Sequence, residues 1–301
     1  MTGFHNARIA LLVVAIAIGF AAETHAQQGS GRPPMRQHTA TEAKSVSLVT
    51  ANVTIKGNRI QETVSGSKRT IRTNGLPDHS VGRFPNRGNP HSIKAQNNTY
   101  KMTTKPKVGR ARDLQLAQLF GVAVNGVPFD PGAAEFWQGN PRSGWQYEAL
   151  GGAVPLGVDS NYAHVQPNGA YHYHGLPIGL MQNINWSKNR ASPLIGYAAD
   201  GFPIYAITAL SGGKVVKLTS SYRLKSGSRP GGSQPSGRHD GAFVQDWVYV
   251  KGAGNLDECN GATVKTADYP KGTYAYFLTD SYPVIPRCFK GKADSSFSNR
   301  R

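Results

Sequence analysis

Glycine and proline punctuate this chain so often that no long helix can run through it. There are 35 glycines and 19 prolines in 301 residues, and each kind weakens or breaks a helix interior. Between them lie short apolar stretches. Val46, Leu48, Val53, Ile55, Ile60, Val64 and Ile71 follow the spacing of brief, half-buried strands. The predicted fold is mostly β: a single loop-rich domain, a β-sandwich or irregular barrel with few short helices, over residues 46–301. One or two helical turns are expected in residues 113–120, and an exposed loop in residues 225–239, which are crowded with Gly, Ser, Pro and Arg.

The N-terminus carries Arg8, an apolar run from Ile9 to Ala22 and small-residue spacing at Thr24-His25-Ala26. That order is the one of a secretory signal, predicted over residues 1–26 with cleavage near Ala26. The apolar run is short for a bilayer span, although an uncleaved anchor is the competing reading. Residues 27–45, with Gly29-Ser-Gly-Arg-Pro-Pro34, read as a flexible linker. No later stretch is long and apolar enough to cross a membrane, so the expected location is periplasmic or secreted.

In an oxidising compartment the only two cysteines, Cys259 and Cys288, are expected to form a disulfide. It would close a loop of roughly 30 residues, worth about 3–4 kcal/mol on the chain-entropy account. The competing reading, two thiolate metal ligands, has no histidine nearby to complete it. The net charge of +17 favours acidic polymers of the cell envelope as partners. No basic helix or aromatic-basic motif points to specific nucleic-acid binding.

Gly121-Val-Ala-Val-Asn-Gly-Val-Pro-Phe-Asp130 is echoed by Gly196-Tyr-Ala-Ala-Asp-Gly-Phe-Pro-Ile-Tyr205. Asn-Gly and Asp-Gly favour tight hairpin turns. Two similar hairpins are therefore expected, related by duplication or alike by coincidence.

Chemistry is concentrated at His164 and in Tyr171-His172-Tyr173-His174. Alternation along a strand sends His172 and His174 to one face, about 6.5–7 Å apart at Cα, and Tyr171 and Tyr173 to the other. The intervening turn decides where His164 points. A two-residue Asn168-Gly169 loop would pair His164 with Tyr173, on the wrong face. A three-residue Pro167-Asn168-Gly169 loop uses proline at a type I corner and glycine at the left-handed bulge. That register puts His164 opposite His172 and Tyr162 opposite His174. Three imidazoles on one face suit copper or zinc. The competing reading is a hydrogen-bonded polar network without a metal. His79 and Asp200 are supporting candidates, the first as a further donor and the second as a carboxylate orienting a histidine, with Tyr162, Tyr171 and Tyr173 as further supporting candidates. Asp257 and Glu258 form a lesser acidic pair. No nucleophile elbow, phosphate loop or His-Glu-x-x-His is present.

These motifs resemble those of the YHYH-domain proteins, named for the tetrad at 171–174. The resemblance takes in His164-Val-Gln-Pro-Asn-Gly-Ala-Tyr-His-Tyr-His-Gly-Leu-Pro177, Asn125-Gly-Val-Pro-Phe-Asp-Pro131, Asp200-Gly-Phe-Pro-Ile-Tyr205 and Leu256-Asp-Glu-Cys-Asn-Gly261. It continues through Phe277-Leu-Thr-Asp280 and Pro286-Arg-Cys-Phe289. It implies an exported protein and assigns no reaction. Two departures stand out: Ala275, where the resemblance leads one to expect a second Tyr-His-Tyr, and Ala206 in place of a glycine. Two functions follow as expectations. One is an exported metal-binding protein using His164, His172 and His174. The other is a disulfide-braced surface module that binds acidic polymers, with Trp137, Trp145, Trp186 and Tyr162 as contacts.

Overall fold

The two echoed segments do form hairpins, and they sit side by side at the centre of one sheet. The computed structural model describes Met1 and residues 37–298. The expected leader, residues 1–26, lies outside the described residues apart from Met1. In chain order the strands of the main sheet are β1 (Gly121–Ala123), β2 (Pro128–Phe129), β3 (Ala163–Val165), β4 (Tyr171–Tyr173), β5 (Gly196–Ala198), β6 (Pro203–Ala206), β7 (Gly261–Val264) and β8 (Thr273–Leu278). Their spatial order is β3-β4-β2-β1-β5-β6-β8-β7. The sheet is mixed: β4 runs parallel to β2 and β6 parallel to β8, and the other neighbours are antiparallel.

The protein is mostly β, as expected, with one short helix, α1 (Ile178–Asn183), and three single 3-10 turns among the described residues. The large sheet is open and does not close into a barrel. Its apolar side packs into the principal core, which includes Phe120, Phe129, Tyr171, Tyr173 and Tyr276. No helix forms in residues 113–120. Instead Arg112–Asp113 pairs as a strand with Cys288–Phe289, because its backbone groups find partners across the chain. Among the described residues no helix is long and apolar enough to cross a membrane.

The sheet is a pair of matching halves. At its centre Gly121 pairs with Ala198 and Ala123 with Gly196, so β1 and β5 exchange roles about a local two-fold axis. Both turns are built alike. Gly126 donates to Ala123 O and Gly201 to Ala198 O, at 2.8 and 2.9 Å, with φ of 85° and 92°. That backbone conformation is open to glycine and strained for other residues. Outward from the axis, Tyr173 lies beside Phe129 on one side and Tyr276 beside Ile204 on the other. The similarity of the hairpins therefore extends through four strands on each side.

The described end of the expected linker is not loose. Ala43 N donates to Asp240, Lys44 N donates to Gly151 O, and Tyr147 OH donates to Ala40 O. Polar composition suggested flexibility, but backbone groups that composition does not reveal tie residues 38–44 to the body. The loop at 225–239 is largely exposed and yet sends Arg229 inward. This side chain is fully buried, and all five of its N–H groups are used. Nε and Nη2 donate to Asp246, Nη2 also to Asp240, and Nη1 to Thr41 O and Ser236 O.

Cys259 and Cys288 form the disulfide, with Cα atoms 5.1 Å apart. Trp137 and Trp145 are buried in a second apolar cluster around Phe243. Trp186 packs against the principal core and donates its indole N–H to Ala206 O. None of the three is the exposed contact residue anticipated for an acidic polymer, because each ring is worth more to the cores as buried area than to a surface.

Candidate metal centre

The turn at Pro167-Asn168-Gly169 brings the histidines together. Gln166 N donates to Ala170 O and Gly169 N to Gln166 O, at 3.0 and 2.8 Å. Gly169 takes φ of 90°, the bulge conformation that closes a three-residue hairpin. The register is then His164 opposite His172, Ala163 opposite Tyr173 and Val165 opposite Tyr171. His174, just past β4, continues the ladder by donating its N–H to Tyr162 O at 2.7 Å.

All three imidazoles lie on one face. Their centroids are 4.6, 4.6 and 4.7 Å apart and the ring planes are tilted by 69–77° to one another, like the blades of a propeller. His174 Nε2 is 3.0 Å from both His172 Nε2 and His164 Nε2. The outer nitrogens set the tautomers. His164 Nδ1 faces Leu156 O at 2.9 Å and His172 Nδ1 faces Ala170 O at 3.1 Å. A carbonyl can only accept, so both Nδ1 atoms carry hydrogen, and in the neutral form of either ring the lone pair then lies on the inward Nε2. Anchoring the outer N–H on a carbonyl is the arrangement that orients metal-ligating histidines.

Burial, and next the charge of His172, lower the His164 imidazole to about 3, while the Leu156 carbonyl and the Asp130 carboxylate oppose the shift. His164 therefore stays neutral, as a ligand must. His172 and His174 are buried and His164 half-buried. The three histidines are positioned to hold one metal ion. Adjacent nitrogens of a tetrahedral site with bonds of 2.0–2.1 Å lie about 3.3 Å apart, so the observed 3.0 Å contacts need to widen by only a few tenths of an ångström. His164 and His174 also line a cavity of about 280 Å³ whose other walls include His38, His91 and Glu135. One side of the centre thus faces open space.

The other sequence candidates go elsewhere. His79 is on the opposite face of the hairpin. Its Nδ1 donates to Ser80 O at 2.9 Å and its Nε2 accepts from Tyr173 OH at 2.6 Å, so it is no fourth donor. Asn125 donates to the same tyrosine oxygen. Tyr171 OH donates to the buried Asp159 at 2.8 Å. Tyr162 serves the site through its carbonyl, from a left-handed backbone with φ of 52°. Asp200 orients no histidine: its carboxylate accepts from Tyr276 OH and Gly291 N in the other half of the sheet. Asp257 holds Tyr274 OH, and Glu258 pairs with Lys290. Sequence reasoning missed Asp130, a buried carboxylate whose charge reaches His164, and the cavity residues His38, His91 and Glu135. Asp130 follows Phe129 in the first echoed segment, and its place beside the site depends on the parallel pairing of β2 with β4.

The second half repeats this hairpin without the imidazoles. Ala262 pairs with Ala275, as His164 does with His172. Phe277 N donates to Asn260 O, as His174 N does to Tyr162 O. Asp257 receives Tyr274 OH as Asp159 receives Tyr171 OH. Tyr276 OH meets Asp200 where Tyr173 OH meets Asn125. The counterparts of the three histidines are therefore Ala262, Ala275 and Phe277.

No curated protein and no solved structure matches the chain. A family model described as YHYH protein matches residues 99–291, a span that holds the whole eight-stranded sheet and the disulfide. The chain belongs to the YHYH protein family.

Proposed function

We propose that this is an exported protein that binds a copper or zinc ion through His164, His172 and His174. The observation that carries the reading is the meeting of three imidazoles, two of them held by backbone carbonyls with their lone pairs inward. Neutral imidazole suits both ions, and the lack of thiolate or thioether donors disfavours a buried copper(I) site. Export rests on the signal-like N-terminus and agrees with the disulfide.

Three protein ligands and an adjoining cavity leave room for a water or a small molecule beside the ion, the pattern of an open rather than a closed site. A bound zinc ion would supply Lewis acidity there, and copper would supply one-electron chemistry. The chain's own part is to keep the His164 ring neutral, to fix two tautomers and to screen two rings from bulk water.

The test is metal analysis of protein equilibrated with copper or zinc and then desalted. Wild type should retain one equivalent. The His164→Ala/His172→Ala/His174→Ala variant should retain close to none. Equal metal in both would refute the reading. N-terminal sequencing of protein recovered from outside the cytoplasm tests export, with a start near Gln27 expected.

A further inference from the structure

Arg229 and Arg287 are both largely buried, and they differ in one respect. Arg229 spends all five N–H groups on protein acceptors. Arg287, with its side chain only 16% exposed, makes one hydrogen bond, from Nη2 to Glu148 at 2.5 Å. Its buried Nε has no partner, and neither has the buried indole N–H of Trp247. Donors buried in this way are normally satisfied.

Both residues line a cavity of about 480 Å³, separate from the metal centre. Trp247 and Tyr282 stack there with ring planes 9° apart and centroids 4.5 Å apart, and Tyr222 packs edge-on to Tyr282. Gln115 and Gln118 also line the cavity. Gln115 spends its amide N–H on Asp113 O, and Gln118 spends its carbonyl on Gln115 N. Each amide thus keeps at least one N–H and one acceptor lone pair unspent.

We propose that this cavity binds a carboxylate-bearing sugar, a hexuronic acid residue. The under-used guanidinium matches a carboxylate. The half-buried Trp247 ring in the lining offers apolar surface to a pyranose ring. The leftover amide groups match neighbouring hydroxyls, which a plain aliphatic acid lacks. The volume accommodates one or two sugar rings, in the lower part of the range for ligand sites. The chain's charge of +17 favours the approach of anionic saccharides. The site is independent of the metal centre, and loss of metal would leave it intact.

The experiment is calorimetric titration of the full-length purified protein with D-galacturonic acid, D-galactose and acetate. Galacturonate should bind with Kd on the order of 1 mM, at least ten-fold more tightly than galactose or acetate, and more weakly as salt rises. Gln118→Ala should weaken it about ten-fold without lowering the melting temperature. Arg287→Lys, which keeps the charge but loses the planar fork, should erase the preference over galactose. Any one of four results overturns the assignment: no galacturonate binding at about 20 mM, equal affinity for galactose, equal affinity for acetate, or unchanged binding by Gln118→Ala. The last variant keeps the test decisive if the Arg287 substitution disturbs folding through Glu148.

Discussion

Acidification should destabilise the metal-free protein through His164. In the folded chain this ring is held at about 3, whereas in an unfolded chain histidine titrates near 6.5. Between those values the unfolded state binds the extra proton and the folded state does not. Stability therefore is fully present above about pH 6.5 and declines as pH falls. At pH 4.5 about two pH units of that window have been crossed, which at 1.36 kcal/mol per unit is about 3 kcal/mol. For a folded body of this size that is about 5–10 °C of melting temperature. The assay is urea denaturation of chelator-treated protein at pH 7.5 and 4.5, beside His164→Asn. Asparagine keeps a donor for Leu156 O and removes the titration. Burial raises the Glu148 and Asp200 carboxyls; a raised acid gains relative stability as pH falls, and both proteins share that contribution. The acid loss should be smaller in the variant by about 3 kcal/mol. Parallel losses in the two proteins would refute the assignment of the slope to this ring.

Other substitutions probe the frame. Asp246→Asn leaves the buried Arg229 guanidinium short of a charge partner and should cost about 3–5 kcal/mol, read from the denaturant midpoint, with metal content unchanged. Replacing Cys259 and Cys288 together by alanine opens a link 29 residues apart in sequence and should cost about 3–4 kcal/mol, again without metal loss. Gly169→Ala forces a side chain into φ of 90° with its Cβ 2.6 Å from Lys94 Cβ. It should cost about 1–3 kcal/mol and, by loosening the turn, weaken metal retention as well.

The site was legible where a local rule fixed the backbone. Pro167 and Gly169 choose the hairpin length, the length chooses the register, and alternation then gathers three imidazoles. Asn125-Gly126 and Asp200-Gly201 likewise announced their turns. What could not be read was set by pairings between distant segments. Nothing local to Phe129 says that Tyr173 will run parallel beside it, and so nothing local placed Asp130 near His164. His79 sits outside any strand, where alternation gives no direction, and it went to Tyr173 on the far face. Asp200 was understood as a turn former, but its carboxylate partner, Tyr276, lies 76 positions further along. The likeness of the two halves showed only in the inner hairpins, since the outer ones share little more than a Tyr-x-Tyr and an aspartate.

The paired halves amount to an experiment the molecule has already run on itself. One backbone plan carries imidazoles at three places, and its twin carries Ala262, Ala275 and Phe277 there with the same ladder contacts and the same tyrosine clasps. The architecture thus stands with apolar side chains at all three points. Imidazoles at 164, 172 and 174 answer to some demand other than holding the hairpin together, and their removal should leave a folded chain in which only that demand goes unmet.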